Sequence, residues 1–256
     1  MRSASFRFSR VCTIAALGTM AACGPHGDLR AERRDVSTAS EPQAAGTTSP
    51  EARRTEAPAG RSRIVALGDS LTAGLGLSMN QAYPALLQQR LTAEGLDYEV
   101  VNAGVSGDTS AGGLARLDWT LDGDVRVLIV ALGGNDGLRG LPTQQLKRNL
   151  SQIIERAQAR RITVILAGME APPNHGWEYV VDFHQVYPDL ARQYHVAFIP
   201  FLLQGVAGHD ALNQRDGMHP TAEGARIVAD NVWAALKPVV EKLPRRAIRG
   251  ERPPGS

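Results

Sequence analysis

Two cysteines in 256 residues, Cys12 and Cys23, leave almost no room for disulfide chemistry. Cys12 lies in a leader-like segment, so a processed chain would carry Cys23 alone and could form no intrachain bridge. Net charge is nearly absent, with 28 basic against 26 acidic residues, which removes the electrostatic footprint of a nucleic-acid binder. Asp216 and His219 have no third ligand at a recognisable spacing, so no metal centre is expected. The glycines of Gly133-Gly134 and Gly137 lack the Lys-Ser/Thr ending of a phosphate loop. There is no internal repeat. Residues 24–62 hold almost no large apolar side chain and cannot bury enough surface to order themselves.

The segments that are present divide the chain. Arg2, Arg7 and Arg10 precede a short apolar run over residues 11–20, closed by Met20-Ala21-Ala22-Cys23. That layout predicts a secretory signal over 1–22, too short to span a membrane. The small residues before Cys23 predict a lipoprotein-type signal with Cys23 as the lipidated residue. Met20 departs from the usual Leu, so plain secretion into the periplasm remains open. Without the leader the chain loses three arginines and no acid, leaving 25 basic against 26 acidic residues and a net charge of −1. Residues 23–62 read as a disordered tether whose 39 residues from Gly24 would span about 35 Å on average. Residues 63–243 form one domain with a full-sized core, and the Arg-, Pro- and Gly-rich 244–256 form a disordered tail.

Within the domain, strands and helices alternate. Strands are expected at 63–67, 98–101, 125–132, 162–167 and 196–199. Helices are expected at 82–93, 114–121, within 177–194, and from Pro142 and Pro220 onward, with Pro238 ending or kinking the last. Five strands separated by helices predict an α/β fold, a parallel sheet covered on both faces in the order 2-1-3-4-5. Function is then expected on the loops at the carboxyl ends of the strands.

Those loops hold the chemistry. Gly68-Asp69-Ser70 follows the first strand, Gly68 allowing a sharp turn; alone, the motif is equally a simple turn. Asn102-Ala103-Gly104-Val105-Ser106-Gly107-Asp108-Thr109-Ser110 follows the second, Gly133-Gly134-Asn135-Asp136-Gly137 the third, and Asp216-Gly217-Met218-His219-Pro220 comes after the fifth. Acyl transfer needs a nucleophile, a base, a group to orient the base, and oxyanion donors. Ser70 can attack, His219 can carry the proton, and Asp216, three residues earlier, can orient the imidazole. The Ser70 and Gly107 amides and the Asn135 side chain can hold the oxyanion; Gly104 competes with Gly107 for that place. Asp69, Asp108 and Asp136 read as turn residues that bond to backbone. His175 reads as a solvated loop residue, and His184, His195 and His209 carry no motif.

These four blocks, in this order, resemble the SGNH (GDSL-type) hydrolase family over residues 64–236. Gly68-Asp69-Ser70-Leu71, Ser106-Gly107-Asp108-Thr109-Ser110, Gly134-Asn135-Asp136-Gly137-Leu138-Arg139-Gly140 and Asp216-Gly217-Met218-His219-Pro220 look most like the branch of bacterial multifunctional acyl-CoA thioesterase, lysophospholipase and arylesterase enzymes. The resemblance implies a three-layer α/β/α flavodoxin-like sandwich, no metal and no organic cofactor. It also implies Ser70 as nucleophile, Asp216 and His219 as the rest of a triad, and Gly107 and Asn135 as oxyanion donors. Leu138, Leu141, Met169, Trp177 and Tyr179 are expected either to wall an acyl pocket or simply to pack their loops. The expected substrates are small acyl esters, aryl esters or lysophospholipids. A carbohydrate O-deacetylase and an idle binding module on the same fold are the alternatives.

Overall fold

The computed structural model describes residues 61–244. The expected leader, the expected tether up to residue 60 with Cys23, and the expected tail past Pro244 lie outside the described residues. Besides three short 3-10 turns, the described strands and α-helices follow in order: β1 (Ser62–Gly68), α1 (Ser70–Ala73), α2 (Tyr83–Ala93), β2 (Tyr98–Gly104), α3 (Ser110–Ala115), α4 (Leu117–Thr120), β3 (Val125–Ala131), α5 (Gly134–Leu138), α6 (Thr143–Ala159), β4 (Thr163–Ala167), α7 (Trp177–Tyr194), β5 (Ala197–Ile199) and α8 (Ala222–Lys242). Strand β1 begins at Ser62, one residue inside the stretch read as tether.

The five strands pair in parallel in the order β2-β1-β3-β4-β5. The reason is legible in β1 and β3. Ile64–Leu67 and Val127–Ala131 are apolar without alternation and fully buried, as a strand covered on both faces must be. Helix α2 packs with α8, and α6 packs with α3 and α7. Each turns an apolar stripe inward, such as Leu146, Leu150, Ile153, Ile154 and Ala157 of α6, at the three-and-four spacing of an amphipathic helix. The chain runs from β1 outward to β2, then returns past β1 to β3. That reversal opens a crevice at the carboxyl ends of β1 and β3.

Several expectations are corrected. The helix expected at 114–121 is two, α3 and α4, broken at Arg116. Pro142 is the cap residue of α6, at φ −56° and ψ 126°, instead of occupying its first turn. Pro220 lies before α8, in an antiparallel bridge with Asn213, and Thr221 caps the helix by accepting from Gly224 N–H. Pro238 does not end α8, which runs on to Lys242. Leu236 and Val240, on either side of it, are buried, and their burial outweighs the one missing helix bond. Among the described residues no helix is long and apolar enough to cross a membrane.

Candidate active site

Parallel register sets Gly68 of β1 level with Gly104 of β2 and Ala131 of β3, so the loops that follow start side by side. Ser70 opens α1. Asp69 caps that short helix, accepting from Leu71 N–H at 3.0 Å. Gly68 is required by closeness, not by a sharp turn. Its φ is not positive, but a Cβ there would lie 1.9 Å from Thr72 Oγ1 and 2.9 Å from the Ala131 carbonyl oxygen.

The Asp216–His219 loop reaches Ser70 from the other side. Asp216 Oδ1 accepts from the backbone N–H groups of Met218 (2.9 Å) and His219 (3.0 Å). Its Oδ2 lies 2.7 Å from His219 Nδ1, and His219 Nε2 lies 2.9 Å from Ser70 Oγ. A proton on Nδ1, shared with the carboxylate, leaves Nε2 as the acceptor facing the hydroxyl. Gln214 holds this loop in place. Its N–H donates to the His219 carbonyl (2.7 Å), and its side chain donates to the carbonyls of Leu75 (2.7 Å) and Pro220 (2.9 Å).

Asn135 lies at the start of α5. Its Nδ2 donates to the Asp108 carbonyl (2.9 Å) and to Asp69 Oδ2 (3.3 Å), which ties it to the residue before Ser70 and the residue after Gly107. The two glycines after β2 separate clearly. The Gly104 amide donates to Asn102 Oδ1 at 3.0 Å, and the backbone of α1 lies against its Cα. Gly107, at φ +84°, has an amide with no acceptor among the described residues. A left-handed residue here favours glycine.

A model of the GDSL-like Lipase/Acylhydrolase family matches residues 66–227, the span that carries all four blocks. The chain belongs to that family. Esterase TesA of Pseudomonas aeruginosa is 47% identical over 166 residues, covering 64% of this chain and 83% of its own. A protein of Escherichia coli named thioesterase 1/protease 1/lysophospholipase L1 is 38% identical over 165 residues, covering 64% and 78%. Among solved structures, a crystal structure of TesA superposes with a TM-score of 0.67 at 45% identity, covering 70% of this chain and 99% of the other.

In this acylhydrolase the site's two carboxylates sit in opposite environments. Asp216 is exposed at the surface, and the His219 and Met218 N–H groups, with the imidazole, lower its pKa to about 2. Asp69 is buried, and burial raises its pKa to about 6 against the opposing pull of the Leu71 N–H and of His219. Asp69 therefore both caps α1, as its turn reading anticipated, and orients Asn135. Asp108 and Asp136 do more than hold turns. Asp108 Oδ2 accepts from Arg116 Nε at 2.7 Å. Asp136 is buried and accepts from both the N–H (2.8 Å) and the hydroxyl (2.6 Å) of Ser110, which also takes a bond from Asn149 Nδ2 (2.9 Å).

The five expected pocket residues do not come together as one wall. Met169 is buried in the core, while Leu138 and Trp177 stand exposed. Tyr179 donates to the Leu141 carbonyl at 2.8 Å and so pins its loop. A different set, including Leu71, Leu75, Leu77, Tyr83, Pro220 and Val228, lines a cavity of about 10 Å³ that touches Ser70 and His219, room for about one water. His175 is not simply solvated: it stands 3.4 Å from the Leu138 carbonyl and edge-on to Tyr179. Among the described residues no group of three or more His, Cys, Asp and Glu could hold a metal ion. Gln214, Arg116 and Asn149 had no signal in the sequence, because each acts through backbone carbonyls or through a partner that only the fold brings near.

Proposed function

We propose that the chain is a serine hydrolase of carboxylic esters and thioesters, working through Ser70, His219 and Asp216 and an acyl-enzyme. The observation that carries this reading is the line from Asp216 Oδ2 to His219 Nδ1 (2.7 Å) and from His219 Nε2 to Ser70 Oγ (2.9 Å). In the first half-reaction Ser70 Oγ bonds to the substrate carbonyl carbon, and its proton passes to His219 Nε2. The N–H groups of Ser70 and Gly107 take the charge on the carbonyl oxygen, joined by Asn135 Nδ2 as it turns one proton from Asp69 Oδ2 to that oxygen. Collapse breaks the bond to the leaving oxygen or sulfur, which His219 protonates, and Ser70 is left as an ester. Water, losing a proton to the same nitrogen, then repeats the steps and releases the carboxylic acid.

The relatives' names, esterase and thioesterase/lysophospholipase, support esters, thioesters and lysophospholipids as the substrate class; within it we propose aryl esters and short or medium acyl esters. The expected leader and a lipidated Cys23 would tether the domain near a membrane on the exported side. There CoA thioesters are not expected to be available, which favours esters and lysophospholipids.

The test is hydrolysis of p-nitrophenyl esters, from acetyl to palmitoyl, by the full chain and by Ser70→Ala. The variant should lose about 10⁴-fold or more in kcat, and the chain-length optimum of the wild type sizes the acyl site. A variant that keeps a tenth of the activity would refute the assignment.

A further inference from the structure

The three oxyanion donors lie on three segments far apart in the chain: the start of α1, the loop after β2 and the start of α5. We propose that Arg116, at the break between α3 and α4, is the positioning residue that locks these loops into one oxyanion hole. The inference rests on the serine-hydrolase reading above. Arg116 Nε donates to Asp108 Oδ2 at 2.7 Å, and Nη2 donates to the Gly68 carbonyl at 3.0 Å. The same Gly68 carbonyl accepts from Val105 N–H at 3.0 Å. Asp108 follows Gly107 directly, and its own carbonyl accepts from Asn135 Nδ2 at 2.9 Å. One guanidinium thus grips the end of β1 two residues before Ser70, the neighbour of Gly107, and through that neighbour Asn135.

Two properties fit Arg116 to this work. A guanidinium is a rigid planar fork, so one anchor cannot shift without dragging the other. Both partners are also largely shielded, the Arg116 and Asp108 side chains being 17% and 18% exposed, so water does not readily replace the contacts. There is an electrostatic consequence as well. Without Arg116 the Asp108 carboxylate would lose its ion-pair partner beside Gly107, where Arg139 Nη2, on the Gly107 carbonyl at 2.9 Å, offsets only part of the charge, and would oppose the negative charge that develops on the substrate oxygen. Both effects act on the transition state and not on ground-state binding, so they fall on kcat.

The experiment uses the full chain with p-nitrophenyl butyrate as substrate and butaneboronic acid as a probe that forms a tetrahedral adduct at a reactive serine. Wild type, Arg116→Gln, Arg116→Lys, Asp108→Asn and the double variant Arg116→Gln/Asp108→Asn are compared at least 20 °C below each melting point. Arg116→Gln should lose about 10–100-fold in kcat, the lower part of the range for losing an oxyanion donor outright. Its KM should stay within about threefold, and its boronate Ki should rise in step with the kcat loss. Asp108→Asn should cost less. The double variant should recover several-fold over Arg116→Gln, because the uncompensated charge is gone. Arg116→Lys restores a charge with only one arm; it should fall between wild type and Arg116→Gln, and it serves should the Gln variant not fold. A kcat and boronate Ki within threefold of wild type in the Arg116 variants overturns the proposal, whatever happens to the melting point. A wild type that boronate does not inhibit overturns the serine reading, and the clamp with it.

Discussion

Replacing Asp69 by Asn isolates a pH dependence that the fold imposes on itself. Asp69 is 2% exposed, and burial raises its pKa from 3.8 to about 6. The folded chain therefore holds a proton that the unfolded chain releases first, between about pH 4 and pH 6. Where the native state binds more protons, stability falls as pH rises. The contribution is intact below pH 4, declines through pH 6 and is flat above. A pKa raised from 3.8 to about 6 corresponds to about 3 kcal/mol, of which about 2–3 kcal/mol falls between pH 4 and 7. Asn cannot titrate, so this slope should vanish in Asp69→Asn. The offset between the two proteins is less informative. The Asn can still accept from Leu71 N–H, but its own amide then meets Asn135 Nδ2 donor to donor, a conflict costing about 1–3 kcal/mol. The slope is free of that offset, and the titrating groups that do not interact with Asp69 cancel in the difference. Guanidinium midpoints at pH 4, 5, 6 and 7 would give the two curves. They should converge or cross by about 2–3 kcal/mol toward neutral pH, the wild type losing ground. Parallel curves would refute the argument that burial of this carboxyl dominates over its hydrogen bonds. The charge is retained for a reason the site makes plain: the carboxylate accepts from Asn135 at 3.3 Å and so orients a candidate oxyanion donor.

Two further outcomes follow from single contacts. Gly68→Ala should cost about 1–3 kcal/mol, read as a lower denaturation midpoint. The new Cβ would lie 2.9 Å from the Ala131 carbonyl, a backbone atom that cannot rotate away, and an unchanged midpoint would show that the crowding is not real. Asp216→Asn should lower kcat about 10³–10⁴-fold while the melting point holds, since an Asn can still accept from Met218 and His219 N–H yet offers the wrong partner to Nδ1. Because the Asp216 pKa is lowered to about 2, its own protonation should take no activity from the wild type above about pH 4.

Much of the fold was legible because burial writes itself into composition. Ile64–Leu67 and Val127–Ala131 could only be strands covered on both faces, and the stripe from Leu146 to Ala157 could only be one helix face. The order of the five strands followed from connectivity rules that hold regardless of sequence. What misled was local chemistry under tertiary control. Pro238 breaks helices in isolation, yet the buried residues on either side of it hold α8 together. Gly68 reads as a turn residue, yet the demand on it comes from Thr72 and Ala131, which no local rule connects to it. The same division runs through the site. Ser70, Asn135, Asp216 and His219 were legible as candidates because acyl transfer restricts which residue types can serve, and Ser70 and Asn135 stand in glycine-bearing loops directly after apolar runs. Arg116 was not, since any exposed helix offers an arginine of identical local appearance. Asp108 reads as a turn residue, because its partner lies eight residues on, beyond α3, at the helix break that the apolar pattern of residues 114–121 conceals. Motif residues announce themselves by what the reaction requires of their atoms. The residues that hold them in register answer only to the distances between loops, and those exist only once β1, β2 and β3 have paired.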